Sequence, residues 1–205
     1  MAESIVQVTE GSGKKLHTFN RTIGANSVED EVVIPGENYL ATYVVGSSLN
    51  PSTATAASHL LQIMAGASLK VRIRRIEIWQ SAVVTAAALL PILILRVTTA
   101  GTGGTAATPA LLDTTDGASG ATAMFLPTVK GTESTSIAAV WPYMIQTIGA
   151  SMPFAGPVAV LDFDGLRGKP LVIAAGAANG IVLKNVNAVA AGSLAINVYF
   201  SESSF

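Results

Sequence analysis

The residues of this 205-residue chain that could do chemistry are few, and their spacing fits no reaction well. It has two histidines, His17 and His59, and no cysteine. That excludes a thiol nucleophile, a disulfide and a thiolate metal site, and it leaves too few histidines for a multi-histidine metal centre. Asp162-Phe163-Asp164-Gly165 sets two carboxylates two residues apart, on one face of a strand. A cation could use that pair, but Leu166, Arg167 and Gly168 add no acidic ligand. A strand-end turn with Arg167 answering a carboxylate is the better reading. Gly11-Ser12-Gly13-Lys14 resembles a phosphate loop only in part: Val8 stands where the first glycine belongs, and Lys15 where Ser or Thr belongs. Gly101-Thr102-Gly103-Gly104 has no following helix and no βαβ unit around it, so it is no dinucleotide fingerprint. Gly117-Ala118-Ser119-Gly120-Ala121 misses the nucleophile-elbow pattern by one position. The expectation is a protein that is not an enzyme and has no cofactor or metal.

Binding chemistry has two candidates. Lys70, Arg72, Arg74 and Arg75 form the basic cluster, and strand alternation would put Lys70, Arg72 and Arg74 on one face. A nucleic-acid surface would want interleaved aromatics and an excess of positive charge, whereas the net charge is −1 and the pI about 6.1. Pairing with carboxylates, such as those at 29–31 of the same or a neighbouring chain, fits better. Trp141-Pro142-Tyr143 could form a shallow sugar platform, but aromatics so placed more often close a core.

The elements that must position these residues are strands. Only 12% of the chain is charged, half is apolar and 6% is aromatic, against roughly 25% charged in an average soluble domain. Ile5-Val6-Gln7-Val8-Thr9, Tyr39 to Val45, His59 to Met64 and Ile92 to Thr98 are β-rich runs, and the last reads as buried on both faces. In Lys70 to Trp79, Val71 and Ile73 alternate with the basic residues, and then Ile76 and Ile78 continue in the opposite parity. One face cannot hold both halves, so Arg74-Arg75 predicts a β-bulge or sharp bend. Later candidates are Ala138 to Tyr143, Val158 to Phe163, Leu171 to Ala174, Gly180 to Val186 and Leu194 to Ser201. In the last of these Leu194, Ile196, Val198 and Phe200 share a face. Ala82 to Leu90 is Ala-rich enough for a short helix, though Val83, Val84 and Thr85 oppose it. The weakly polar stretch Ser81 to Leu95 is shorter than the roughly 18 residues of a membrane helix and contains Pro91. Met-Ala-Glu-Ser at the N-terminus lacks the pattern of a signal peptide. No membrane partner is expected.

Many short strands separated by Gly-rich turns predict an all-β protein, a jelly-roll-like β-sandwich with an N-terminal strand-bearing arm. Residues 1–50 read as the arm and 51–205 as the sandwich domain. Nine of the 25 charges fall in residues 1–38, while residues 101–160 hold four. Depleted charge marks surfaces that neighbours cover, which points to a homo-oligomer. Candidate interface residues are Ile5, Val6 and Val8 of the arm, Lys70, Arg72 and Arg74 of the basic strand, and Trp141 and Tyr143.

Several segments, in order, resemble a family of small virion structural proteins of tailed bacteriophages. They are Val6 to Leu16, Asn38 to Val44, His59 to Gly66 leading into Lys70 to Ile78, and Pro170 to Gly176 before the final strand. The turn Gly66-Ala67-Ser68-Leu69 is poorer in Gly and Ser than is usual there. The resemblance implies a jelly-roll-like domain located in the virion, after assembly in the host cytoplasm. It implies a capsid decoration, or cement, protein whose partners are itself, with a trimer as one candidate order, and the major capsid protein or other virion proteins. A tail, collar or fibre component, with glycan binding as an option, is the alternative. Nucleic acid is not among the expected partners.

Overall fold

A computed structural model describes residues 18–23, 26–31, 40–46, 50–82, 88–145, 159–163, 171–190 and 192–204. The chain divides into two compact units, residues 1–39 and 40–205. In the first, β1 (Thr18–Ile23) and β2 (Asn26–Glu31) pair antiparallel, from Thr18 opposite Glu31 to Ile23 opposite Asn26. The expected strand Ile5 to Thr9 lies outside the described residues, and with it the candidates Ile5, Val6 and Val8.

The second unit is an all-β sandwich of two antiparallel sheets. Its strands are β3 (Thr42–Gly46), β4 (His59–Met64), β5 (Lys70–Gln80), β6 (Ala88–Val97), β7 (Thr105–Ala107), β8 (Ala110–Leu111), β9 (Thr122–Phe125), β10 (Glu133–Ile145), β11 (Ala159–Asp162), β12 (Leu171–Ile173), β13 (Gly180–Asn185) and β14 (Leu194–Ser203). Sheet I runs β10-β6-β13-β4-β9-β7, and sheet II runs β11-β5-β14-β3-β8 with β12 also on β5. Thr42–Gly46 falls within the residues 1–50 expected to form the arm. It is a sheet II strand, in register with Asn197 to Ser201 of β14, where its β-branched and aromatic residues find a ladder. Ala88 to Leu90, offered as the end of a short helix, belong to β6.

Period-two alternation builds the core. Leu194, Ile196, Val198 and Phe200 of β14 are all buried, as are Val71, Ile73, Ile76 and Ile78 of β5. They meet Leu61, Ile63, Ile92, Ile94, Phe125, Ile181 and Leu183 of sheet I in one cluster. A fully buried aliphatic or aromatic side chain stabilises by about 1.5–3 kcal/mol, so these two facing rows dominate the fold's cohesion. The parity conflict in β5 is resolved as its sequence requires. Tyr199 pairs with Arg75 and Phe200 with Ile73, which leaves Arg74 as the extra residue of a bulge. Two successive arginines thereby face away from the core. The other edge of β5 changes partner there too, from β12 opposite Val71 to Ile73 to β11 opposite Arg75 to Ile78.

Two connections cross the outer face of sheet I. Residues 98–104 join β6 to β7, which lies beyond β13, β4 and β9, and residues 126–132 return from β9 to β10. The two legs bind one another: Thr98 N–H donates to the Thr132 carbonyl, and Thr102 and Val129 exchange a pair of backbone bonds at 2.9 and 3.0 Å. They pass over the sheet at Gln62 of β4, whose Oε1 accepts the Gly101 N–H at 3.0 Å. Glycine is needed for this crossing. A Cβ on Gly131 would run into the Thr99 carbonyl oxygen, and one on Gly104 into the Phe125 carbonyl oxygen. The glycine run at 101–104 is thus part of a strap, a backbone-on-backbone crossing.

Candidate interaction surfaces

The outer face of sheet II gathers the basic strand. In the ladder, Lys70 and Arg72 of β5 stand opposite Ser203 and Ser201 of β14, and Arg75 stands opposite Tyr199 beyond the bulged Arg74. Arg72 Nε donates to Ser203 Oγ at 2.9 Å, and Arg74 Nε donates to Ser201 Oγ at 3.0 Å. Arg75 forms an ion pair with Glu77 at 2.7 Å, and the Tyr199 hydroxyl donates to the other Glu77 oxygen at 3.3 Å. Arg74, Arg75, Glu77, Asp162 and Tyr199 line a shallow concavity of about 420 Å³. Burial, reinforced by the Glu77 charge, pushes the Tyr199 phenol above its usual range. The concavity is open, amphiphilic and lined by planar hydrogen-bonding groups.

The outer face of sheet I is closed. Met64, Leu95, Val97 and Val182 form a second apolar cluster, separate from the core, with Leu93 packed against it. Gly180 makes room for it, since a Cβ there would strike the Met64 sulfur and the Val97 side chain. The strap lies across the same face. Gln62, its anchor, pairs with Val182, and Val182 with Leu95. Beside them sits an ionic cluster from three strands. His59 Nε2 lies 2.8 Å from Glu133 Oε1, and Lys184 Nζ lies 2.8 Å from both Glu133 oxygens. His59 is buried, and its Nδ1 has no hydrogen-bond partner among the described residues. Burial lowers the His59 pKa and outweighs the opposing pull of Glu133, with Lys130 and Lys184 adding to the depression. For Glu133, burial favours the neutral acid, but hydrogen bonds from Lys184 and His59 prevail and hold the carboxyl below its usual range.

A third polar group joins sheet II to a loop. Glu202 is buried and accepts from Ser119 Oγ at 2.9 Å, Gly120 N–H at 3.0 Å and Ala121 N–H at 2.8 Å. The near miss to a nucleophile elbow is therefore a cradle for an internal carboxylate. Tyr43, stacked on Phe200 with ring centroids 5.4 Å apart, donates its hydroxyl to the Gly117 carbonyl at 2.8 Å and ties the same loop down.

Of the residues singled out from sequence, Lys70, Arg72 and Arg74 do share one face. Trp141 and Tyr143 are in β10 of the other sheet, opposite Ile92 and Leu90, so one surface does not unite them with the basic strand. Among the described residues, Glu77 of the same strand is one carboxylate that pairs with the basic cluster, at Arg75. Residues 164–170, with the candidate ligand Asp164 and Arg167, lie outside the described residues, as does His17. Sequence reasoning missed Tyr199, Ser201 and Ser203. Their positions were available, because they alternate with the buried row of β14. It also missed Glu133 and Lys184, which have no local pattern to betray them. Among the described residues no group of three or more His, Cys, Asp or Glu could hold a metal ion, and no helix is long and apolar enough to cross a membrane. No protein-family model, no curated protein and no solved structure matches the chain.

Proposed function

We propose that this chain is a structural protein of a virus particle, most specifically a decoration protein that cements the head lattice of a tailed bacteriophage. The observation that carries the reading is the partition of charge between the two units. Residues 1–39 hold three basic and six acidic residues, net −3, and residues 40–205 hold nine basic and seven acidic, net +2. Units of opposite sign on one chain favour head-to-tail contact between copies, with the acidic arm of one on the sandwich of the next. The segments quoted above, similar to tailed-phage virion proteins, supply the particle. An all-β sandwich with few charges supplies a brick whose surface neighbours can cover. Each 100 Å² of apolar surface covered would contribute about 2.5 kcal/mol before association costs. Repetition on a lattice would multiply weak contacts into avidity.

The test is co-sedimentation of the full chain, and of the chain lacking residues 1–39, with undecorated phage heads at low and high salt. Saturable binding of the full chain, weakened by salt and by loss of the arm, is expected. Absence of binding would refute the decoration role. A second reading, a tail, collar or fibre component that touches host glycan, is favoured by the concavity around Tyr199. Glycan-array binding that Tyr199→Ala abolishes, together with no affinity for heads, would select it.

A further inference from the structure

We infer that strand β7 is a self-pairing edge, through which two copies of this chain join sheet I to sheet I. Thr105–Ala107 ends one side of that sheet, and among the described residues it pairs with β9 alone. The direction of its backbone follows from the ladder behind it. The Leu126 N–H donates to the Leu60 carbonyl at 3.3 Å, one step beyond the Leu61–Phe125 pair. Exchanged and outward-facing pairs alternate along an antiparallel ladder. Phe125 and Ala123 therefore turn their N–H and C=O groups from β4 toward β7, and their partners Thr105 and Ala107 turn theirs back. Ala106, between them, points both groups away from the sheet. The same rule holds for β8: the Leu112 N–H donates to the Thr42 carbonyl at 3.0 Å, and Leu111, opposite Tyr43, faces outward. Thr105, Ala106, Thr108, Ala110 and Leu112 are exposed, and Leu112 is 56% so.

Open sheet edges are normally guarded by charge, proline or a bulge. The far edge of sheet I carries Pro142 in β10, and β11 on sheet II carries Asp162. In β12, Leu171 and Val172 are half-buried. Around β7, by contrast, no charge lies between Arg96 and Asp113, and β9 behind it lies in a second charge-free run, from Gly117 to Val129. The edge suits a second copy because it is complementary to itself. Two β7 strands laid antiparallel about Ala106 set that residue opposite its counterpart, where the two exchange both backbone bonds, with Gly104 and Thr108 opposed on either side. No like charges meet, and the residues at these positions are small. A partner of different sequence would be selected by charges or large pockets, and the edge offers neither. With Pro142 on the opposite edge, sheet I has one unguarded edge among the described strands, so pairing closes at a dimer instead of running on as a fibre. The contact is short and neutral, hence weak and indifferent to salt, unlike one between the acidic arm and the sandwich. It rests on no virion role.

The test is small-angle X-ray scattering of the full chain over a concentration series in about 1 M salt, where a screening length of about 3 Å suppresses contacts made by the charged arm. Reversible growth of the mean mass toward that of two chains is expected. Ala106→Pro removes both exchanged donors of the pair without touching β9, since the Ala106 N–H points outward. It should fold, keep its urea midpoint and need at least about tenfold more protein to reach the same dimer fraction. Ala107→Pro should instead lose a ladder bond to β9 and unfold at lower urea. A wild type that is monomeric in this salt at about 1 mM, or an Ala106→Pro chain that dimerises as the wild type does, would overturn the inference. Should Ala106→Pro not fold, the wild type decides. Protection of its Ala106 amide from hydrogen exchange must rise with protein concentration, and an amide equally unprotected at every concentration would overturn the edge contact.

Discussion

Pro91 and Pro142 stand directly opposite one another in the β6–β10 ladder. Opposed residues of an antiparallel pair either exchange both hydrogen bonds or point both backbone groups outward. Two prolines have no N–H to exchange, so theirs is the outward pair. On the β6 side this agrees with Val186 N–H donating to the Pro91 carbonyl at 2.9 Å. On the β10 side, the missing N–H of Pro142 falls on the edge away from β6. Among the described strands, β10 pairs with β6 alone.

A proline on that edge guards it against pairing with another chain. Pro142→Thr restores the donor and adds a β-former. It is expected to fold and to self-associate more strongly than the wild type as concentration rises. Sedimentation velocity across a concentration series checks this. An unchanged distribution would mean that the edge is protected by something other than Pro142.

The bulge at Arg74 makes an unusual deletion prediction. Removing Arg74 leaves Ile73, Arg75 and Ile76 in plain alternation, so both apolar halves of β5 stay inside. The expected cost includes the Arg74 bond to Ser201, about 1–3 kcal/mol. Deleting Arg72 instead shifts Lys70 and Val71 by one register position and sends buried Val71 outward. That variant is expected not to fold. Urea unfolding of the two deletions separates the outcomes, and equal damage by both would count against the bulge.

This bulge was legible because its cause is local: two runs of alternating residues whose phases disagree. The buried row of β14 was legible for the same reason. The hairpin of β1 and β2 was not read, since Asn20, Arg21, Glu29, Asp30 and Glu31 carry no apolar alternation, although Gly24-Ala25 between the strands has the composition of a tight connection. Strands β7 and β8 have three and two residues, too few to show a period. The ionic cluster could not be read at all. His59 and Glu133 are separated by 74 positions and meet only because β9, the strap and β10 bring the chain back. The sheet order that does this rests on long-range packing, which a single sequence does not display.

Glu202 is expected to be the most costly polar residue to truncate. Its carboxylate answers two backbone N–H groups and one hydroxyl in a buried site. Glu202→Ala strands those amides, for an expected loss of about 3 kcal/mol, against about 1 kcal/mol for Ser119→Ala, which removes one donor. Denaturant midpoints at constant slope provide the comparison. A loss for Glu202→Ala no larger than that for Ser119→Ala would contradict the cradle.

The strap crossing at Gly131 leaves no room for a side chain. A Cβ there meets the Thr99 carbonyl oxygen and comes within 3.0 Å of Gln62 Oε1, and Gln62 Oε1 cannot move away without breaking its bond from the Gly101 N–H. Gly131→Ala is expected to lower stability in urea unfolding by about 1–3 kcal/mol, the usual cost of overpacking. Gly117→Ala is the control, because a Cβ at Gly117 meets nothing within 4 Å. If the two substitutions behave alike, the legs do not approach as closely as described.

The acid limb of stability should carry the signature of Glu133. Its folded carboxyl titrates below the ordinary 4.5, so the stabilisation it gives is present above about pH 4.5 and is lost as pH falls through the lower folded value. Glu133→Gln keeps an acceptor for His59 and Lys184 but removes the charge. It should lower stability at pH 7 and flatten the slope below pH 4.5, where the wild type loses its advantage. The two curves should therefore converge on acidification. Urea midpoints from pH 7 to pH 3 test this, and a constant gap between wild type and variant across that range would show that the Glu133 charge does not stabilise the ionic cluster with His59 and Lys184.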